Sequence, residues 1–245
     1  MCYDRDSLPP IPAISGASVS HDELVLESRD GNRLAAFAAT PDEPSGVGVV
    51  ILPDIRGLYR FYEELALRVA ERGHAAIAID YFGRTAGVSK RDDEFEYRPH
   101  VEQTTPAGVQ ADTAAGVAWL REAGSLSIFT VGFCFGGRHS WLAAAGGHSL
   151  AGAIGFYGRP GPGADGSPGP TQQAGELGAP ILGLMGGADA GIPLDEVRAF
   201  EQALADAAVE HELVVRDRRT RDHGDRRQRV AVETHGRPTL PSALS

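Results

Sequence analysis

The chain has 245 residues, of which 42% are hydrophobic, and it contains 31 glycines and 16 prolines. This composition is typical of one large globular α/β domain with many tight connections. The formal net charge of −10 argues against a nucleic-acid surface, because binding to phosphates requires clustered basic residues. No apolar stretch approaches the roughly 20 residues that a membrane-spanning helix needs, so we expect no membrane partner.

The amino terminus and the cysteine content indicate the compartment. Residues 1–6 lack the basic segment and the apolar core of a secretory signal peptide, so we expect a cytoplasmic protein. The two cysteines are Cys2 and Cys134. A structural disulfide is not expected in the cytoplasm, and two cysteines alone cannot form a zinc site. Cys134 is therefore either a small buried apolar residue or a reactive thiol.

The first third of the chain is predicted to contain an extended arm, a β-hairpin and a buried strand. Residues 1–20 are rich in Pro and Ser and are predicted to form an extended arm. Two short alternating runs, Glu23–Glu27 and Arg33–Phe37, flank Asp-Gly-Asn at 30–32, which predicts a β-hairpin. The apolar run Val47–Leu52 shows no alternation, as expected for a strand that is buried on both faces of a parallel sheet.

Helical and strand patterns alternate along the rest of the chain. Helical spacing predicts helices over Tyr62–Arg72, 109–122, Ser140–Ala145 and Leu194–Ala208. Apolar runs predict strands over Ala75–Ile79, Ser127–Val131, Ala151–Tyr157, Pro180–Met185 and His211–Val215. This alternation with short connections favours an α/β fold over residues 21–215, a doubly wound, mostly parallel sheet with helices on both faces.

The run Gly-Phe-Cys-Phe-Gly-Gly at 132–137 lies between a predicted strand and a predicted helix. A Gly-x-Cys-x-Gly pattern in this context predicts a nucleophile elbow, a sharp turn that lifts the nucleophile above the sheet. Gly132 and Gly136 would let neighbouring backbone pass closely, and the helix N-terminus would favour a thiolate. We therefore interpret Cys134 as the catalytic thiol of an α/β-hydrolase. The alternative is a core cysteine at a strand–helix junction.

Nucleophilic catalysis also requires a base and a group that orients it. In α/β-hydrolases the chain order is nucleophile, acid, histidine. Asp189 follows a predicted strand on a Gly-rich loop and is the candidate acid, although it could also be a turn aspartate. His223 follows the last predicted strand and is the candidate base. The remaining histidines are interpreted as structural or solvated: His21, His74, His100, His139, His148, His211 and His235.

Two backbone N–H groups are predicted to form an oxyanion hole. One belongs to Phe135, the residue after the nucleophile, and the other to Ile55 in the loop after the first buried strand. We expect neither a metal nor another cofactor.

Five segments together resemble the dienelactone hydrolase family, the carboxymethylenebutenolidase-like α/β-hydrolases. The likeness runs from about residue 20 to residue 215, and the cysteine in the elbow is its most specific element. The segments are Val49–Gly57, Ala78–Arg84, Gly132–Gly137, Gly155–Gly158 and Gly186–Asp189.

The resemblance implies a Cys–His–Asp triad that opens an enol-lactone through a thioester intermediate. It also implies a glutamate that holds the resting thiol, a position occupied here by Asp54, which is one methylene shorter. Arg84 matches an arginine that binds the carboxylate of the substrate, whereas an ordinary surface arginine is the alternative interpretation.

The segment 216–245 departs from the family pattern. Seven arginines and three aspartates lie between residues 216 and 229, and a charge run of this kind is usually solvated and often disordered. One hypothesis is a change of reading frame near residue 216, because GC-rich DNA read out of frame tends to encode Arg, Pro, Thr and Ala. His223 would then be an accidental histidine.

The sequence therefore leads to a cysteine hydrolase acting on a small carboxylate-bearing lactone or ester. A second hypothesis is a catalytically impaired relative that binds small ligands. A redox-sensing thiol protein ranks below both, because the other cysteine, Cys2, is remote from Cys134 in the sequence. The oligomeric state does not follow from the sequence.

Overall fold

The computed structural model describes residues 7–92 and 94–216. The strands of this part are β1 (Val19–Glu27), β2 (Arg33–Pro41), β3 (Val47–Leu52), β4 (Ala75–Ile79), β5 (Ser127–Phe133), β6 (Gly152–Phe156), β7 (Ile181–Gly186) and β8 (His211–Arg216). The helices are α1 (Arg60–Ala70), α2 (Gly83–Ala86), α3 (Arg98–Glu102), α4 (Pro106–Glu122), α5 (Phe135–Ala143) and α6 (Leu194–Asp206), with a 3₁₀ turn at Ala174–Glu176.

The strands form one sheet in the order β1-β2-β4-β3-β5-β6-β7-β8. The hairpin pair β1–β2 and the pair β2–β4 are antiparallel, and every other neighbouring pair is parallel. The predicted mostly parallel sheet is thus confirmed. The chain moves from β3 to β4 in one direction and then crosses back to β5 on the other side of β3. In open α/β sheets, ligands bind beyond the carboxyl ends of the strands at such a reversal point.

Apolar side chains are buried on both faces of the sheet. Val49 and Ile51 of β3 belong to a cluster with α1. Val50 and Leu52 of the same strand point to the opposite cluster, which α4, α5 and α6 cover. Burial on both faces removes any need for polar alternation, which explains the continuous apolar run over Val47–Leu52.

The helix boundaries differ from the predicted ones where local signals override periodicity. Helix α5 begins directly after Cys134, as the elbow pattern predicted, and ends at Ala143, two residues before the end of the predicted stretch Ser140–Ala145. The short helices α2 and α3 were not predicted, since four or five residues are too few to establish a period. Among the residues of the described ranges, no helix has the length and apolarity that crossing a membrane requires.

Candidate active site

Cys134 occupies a sharp turn between β5 and α5. Its backbone has φ 55° and ψ −113°, a left-handed conformation that is strained for a residue with a side chain. Such conformations cost of order 1–3 kcal/mol and persist only where the surroundings enforce them. The N–H of Cys134 donates to the carbonyl of Phe156 at 2.9 Å, which ties the turn to β6. The half-buried thiol therefore has the backbone setting of a nucleophile elbow.

The glycines around Cys134 permit close backbone contacts. A Cβ at Gly132 would overlap the carbonyl of Gly136, and a Cβ at Gly136 would overlap the carbonyls of Leu52 and Pro53. The first turn of α5 consequently packs directly against the end of β3. This contact brings the elbow next to the loop that follows β3.

The two amides predicted to form the oxyanion hole belong to these adjoining segments. Phe135 is the first residue of α5, so its N–H has no acceptor within the helix. Ile55 lies in a turn closed by a hydrogen bond from the N–H of Gly57 to the carbonyl of Asp54, at 3.1 Å. The backbone contact described above places the two segments at one edge of the sheet, and their joint role as donors stays a prediction.

Asp54 is fully buried and is bound by the arginine two residues later. Arg56 donates from Nε to Oδ1 at 3.0 Å and from Nη2 to Oδ2 at 2.6 Å, and Tyr59 donates its hydroxyl to Oδ2 at 3.1 Å. Arg56 also stacks over the ring of Tyr59, at 4.5 Å. The sequence analysis did not foresee this bidentate pair, although the Asp-x-Arg spacing was visible. The predicted contact of Asp54 with the thiol stays a prediction.

A buried tyrosine, a half-buried phenylalanine and a buried histidine line the side of the elbow towards β4. The Tyr81 hydroxyl donates to the carbonyl of Pro53 at 2.9 Å, and its ring lies 5.4 Å from that of Phe135, which in turn lies 4.4 Å from the ring of His139. Burial, reinforced by the nearby negative charge of Asp54, raises the pKa of Tyr81 well above its usual range. Tyr81 thus remains a neutral hydrogen-bond donor.

His139 is the histidine on α5, the helix that follows Cys134. Burial, and to a smaller extent the positive charge of Arg138, lowers the pKa of His139 to about 3. Its imidazole is therefore neutral at physiological pH. This buried position agrees with the structural role that the sequence analysis assigned to it.

Asp189 follows β7 on the Gly-rich loop. Its Oδ1 accepts from the N–H of Gly191 at 2.9 Å, and its own N–H donates to the carbonyl of Gly186 at 3.2 Å. Because β5, β6 and β7 are parallel, this loop leaves the sheet at the same edge as Cys134. The contact with Gly191 is that of a turn aspartate, so both interpretations of Asp189 remain, and the role of acid stays a prediction.

His223 lies outside the described residues. Strand β8 is parallel to β7 and ends at Arg216, whose carbonyl accepts from the N–H of Gly187 at 2.8 Å. The described chain therefore ends at the edge that carries Cys134 and Asp189.

Arg84 is held by two carboxylates. Nη1 lies 2.5 Å from Oδ2 of Asp112, and Nη2 lies 2.6 Å from Oδ2 of Asp30. Asp112 is fully buried and also accepts from Ser28 Oγ at 2.5 Å and Asn32 Nδ2 at 3.0 Å. Burial raises the pKa of Asp112, although its hydrogen bond with Arg84 acts in the opposite direction. The contacts give Arg84 a structural role, and binding of a substrate carboxylate stays a prediction.

Within residues 7–92 and 94–216, no group of three or more His, Cys, Asp or Glu side chains is arranged to hold a metal ion.

Comparisons with known proteins agree with this architecture. Residues 34–217 match the model of the dienelactone hydrolase family. The chain is 32% identical over 192 residues to a "putative carboxymethylenebutenolidase" of Escherichia coli strain K12, covering 76% of this chain and 71% of that protein. It is 29% identical over 233 residues to the carboxymethylenebutenolidase of Rhodococcus opacus, covering 87% and 82% of the two chains.

A solved structure agrees as well. The crystal structure of a "putative dienelactone hydrolase" from Klebsiella pneumoniae superposes with a TM-score of 0.72 at 30% identity, covering 81% of this chain and 85% of that one. The sheet order, the elbow and the family match together identify an α/β-hydrolase fold. The chain belongs to the dienelactone hydrolase family.

Proposed function

We propose that the protein is a cysteine-dependent hydrolase that opens a small carboxylate-bearing lactone or ester through a thioester intermediate. The observation that carries the proposal is the strained backbone of Cys134, held between β5 and the first turn of α5. The positive end of a helix lowers the pKa of a nearby thiol, which raises the fraction of nucleophilic thiolate near neutral pH. Membership of a family whose relatives are named carboxymethylenebutenolidases supports the substrate class.

In the acylation step, Cys134 first passes its thiol proton to His223, and the resulting thiolate attacks the carbonyl carbon of the lactone and forms a carbon–sulfur bond. The carbonyl electron pair moves to oxygen, and the N–H groups of Phe135 and Ile55 donate to this oxyanion. The tetrahedral species collapses, the ring carbon–oxygen bond breaks, and the leaving oxygen takes a proton from His223. The products are a thioester on Cys134 and a free enol or alcohol.

In the deacylation step, His223 takes a proton from water, and the hydroxide oxygen attacks the thioester carbon. Collapse expels the thiolate and releases the carboxylic acid. Asp189 orients the imidazole and stabilises its protonated form, as the acid of a triad does. Arg84 binds the carboxylate of the substrate, which places the reacting carbonyl over Cys134.

The nucleophile is tested by hydrolysis of a dienelactone and of 4-nitrophenyl acetate. In a Cys2→Ser background, iodoacetamide alkylates only Cys134, and we expect loss of activity in step with alkylation. Cys134→Ala should reduce kcat at least about a thousandfold. Mass spectrometry of the Cys2→Ser protein quenched in acid should detect the acyl adduct. Hydrolysis that survives in Cys134→Ala would exclude the mechanism.

The base is tested separately, because His223 lies beyond residue 217, where the family match ends. His223→Ala should lower kcat about a thousandfold or more, and His235→Ala serves as a matched control in the same segment. Equal activity of His223→Ala and the unmodified chain would show that His223 is not the base.

A second candidate is a catalytically impaired protein that binds small ligands. It is favoured by the family match ending at residue 217, six residues before His223. This candidate predicts saturable binding of a dienelactone, measured by calorimetry, without turnover. Turnover that depends on both Cys134 and His223 would exclude it.

A further inference from the structure

A buried ion pair lies beside the loop between β3 and α1. Asp80, directly after β4, has 0% of its surface exposed, and Arg91 has 7%. Nη2 of Arg91 lies 2.8 Å from Oδ2 of Asp80. The proposed triad and oxyanion hole use neither residue. A buried charge is retained only where it is paired and hydrogen-bonded, so the remaining partners of this carboxylate indicate what it holds in place.

Both oxygens of Asp80 accept backbone hydrogen bonds at the reversal point of the sheet. Oδ1 accepts from the N–H of Leu58 at 2.9 Å, and Oδ2 accepts from the N–H of Phe82 at 2.9 Å. Gly57 has φ +79°, and a Cβ at this position would overlap Oδ1. The carboxylate therefore packs against the end of the loop 53–58 and bonds to it.

The beginning of the same loop has its own tethers. The carbonyl of Pro53 accepts from the hydroxyl of Tyr81 at 2.9 Å, and the N–H of Asp54 donates to the hydroxyl of Tyr62 at 2.9 Å. Ile55 lies between these tethers and the contact with Asp80. Because the loop is fixed at both ends, the direction of the Ile55 N–H depends on both.

Arg91 extends the arrangement towards α2. Besides Asp80, its Nη2 donates to the carbonyl of Gly87 at 2.6 Å, and its guanidinium stacks over the ring of Phe95 at 4.7 Å. The arginine is thus oriented by groups outside the loop. Its guanidinium is therefore a preorganised counter-ion for Asp80.

We infer that Asp80 is a positioning residue for the hydrolytic reaction, which orients the Ile55 N–H through the Leu58 N–H and Gly57, with Arg91 as its counter-ion. The inference rests on the proposed function, because the loop 53–58 matters for the reaction only if the N–H of Ile55 is the second oxyanion donor. An oxyanion donor acts only where it points at the position of the developing charge. Release of one end of the loop should therefore slow acylation more than it weakens substrate binding.

Asp80→Asn is the sharpest variant. An amide has the shape of a carboxylate but only one acceptor oxygen, and its NH₂ group donates. Phe82 and Arg91 both donate to Oδ2, so we expect the single amide oxygen to stay on their side and the NH₂ group to face the N–H of Leu58. The loop then loses this tether while the volume of the buried site is preserved.

Asp112→Asn is the matched control, because Asp112 is also fully buried and paired with an arginine but bonds to Ser28, Asn32 and Arg84. Both variants are assayed on 4-nitrophenyl acetate, which carries no carboxylate for Arg84. We expect kcat to fall about ten- to a hundredfold in Asp80→Asn with KM changed by less than about threefold, and to change less than about threefold in Asp112→Asn.

The alkylation rate of Cys134 by iodoacetamide provides a second readout, because displacement of iodide develops no oxyanion. In both variants the alkylation rate should stay within about twofold of the rate measured for the protein without substitutions. Parallel loss of kcat and alkylation rate, or equal loss of kcat in Asp80→Asn and Asp112→Asn, would overturn the inference.

Arg91→Met removes the counter-ion and Arg91→Lys keeps its charge, so the two variants provide an independent test should Asp80→Asn fail to fold. A lower kcat in folded Arg91→Met than in Arg91→Lys, with equal alkylation rates, supports the inference, whereas equal kcat values overturn it. The proposed function would be contradicted by a different result. This result is hydrolysis of the ester by the protein without substitutions after Cys134 has been completely alkylated.

Discussion

Nη1 of Arg84 and Oδ2 of Asp112 lie 2.5 Å apart, and the same guanidinium binds Asp30 through Nη2 at 2.6 Å. Asp112 is on α4, Arg84 is on α2, and Asp30 is in the turn of the β1–β2 hairpin. One cation therefore joins three separate segments. Whether it also binds substrate depends on how firmly these carboxylates hold it.

Arg84→Met should destabilise the protein by about 2–3 kcal/mol, because Asp112 stays buried without its counter-ion. Urea unfolding followed by tryptophan fluorescence measures the change. Arg159→Met is the control, since the pair of Arg159 with Glu196 is mostly exposed and its loss should cost less than about 1 kcal/mol. Equal losses would show that the Asp112 pair behaves like a surface pair.

The substrate role of Arg84 is tested by the charge of the substrate. Asp30→Asn should lower KM several-fold for a carboxylate-bearing lactone, because it releases Nη2 of Arg84 from competition. Arg84→Met should raise the same KM about tenfold, and neither change should alter KM for 4-nitrophenyl acetate by more than about twofold. Unchanged KM values for both substrates in both variants would leave Arg84 with the structural role alone.

Gly136→Ala should lower the free energy of unfolding by about 3 kcal/mol and abolish activity, because its Cβ would overlap the carbonyls of Leu52 and Pro53. Gly175→Ala is the control, since no atom lies within 4 Å of the added Cβ, and its effect should stay within about 0.5 kcal/mol. Chemical denaturation measures both values. A tolerated Gly136→Ala would contradict the close packing of α5 on β3.

His139 should make stability depend on pH. Its pKa is lowered to about 3 in the folded protein by burial, whereas a histidine in the unfolded chain titrates near about 6.5. Between these values the unfolded state binds more protons, so stability falls as the pH falls below about 6.5. From pH 7.5 to pH 5 this amounts to about 2 kcal/mol.

The measurement is urea unfolding of the unmodified protein and of His139→Leu at both pH values. The loss of stability on acidification should be smaller in His139→Leu by about 2 kcal/mol. An equal loss in the two proteins would mean that His139 takes up a proton without unfolding.

The fold was predictable because its signals are local and strong. The run Val47–Leu52 is apolar at consecutive positions, and the elbow glycines adjoin a strand and a helix. The order of the strands was not predictable, because periodicity shows which faces are buried but not which strands are neighbours. The reversal between β3 and β5, which brings the loop carrying Ile55 next to Cys134, emerged only from the structure.

The sequence did not predict which groups bind the charged side chains. Asp54 and Arg84 stand out in the sequence through the family resemblance, yet nothing there indicates their partners Arg56 and Asp112. Arg84 and Asp112 are 28 residues apart, and no sequence period connects α2 to α4. Asp80 likewise gave no signal of its own, since it bonds to Leu58 in the loop after β3 and to Arg91.

Backbone contacts around Cys134 hold its turn in place. The carbonyl of Phe156 fixes the amide, and the missing Cβ atoms of Gly132 and Gly136 create the space. The backbone that presents the side chain of residue 134 is therefore separable from the chemical identity of that side chain. A Cys134→Ser substitution should keep this turn and replace a thiol with a hydroxyl, so one change of atom would alter the reactive group without rebuilding the core.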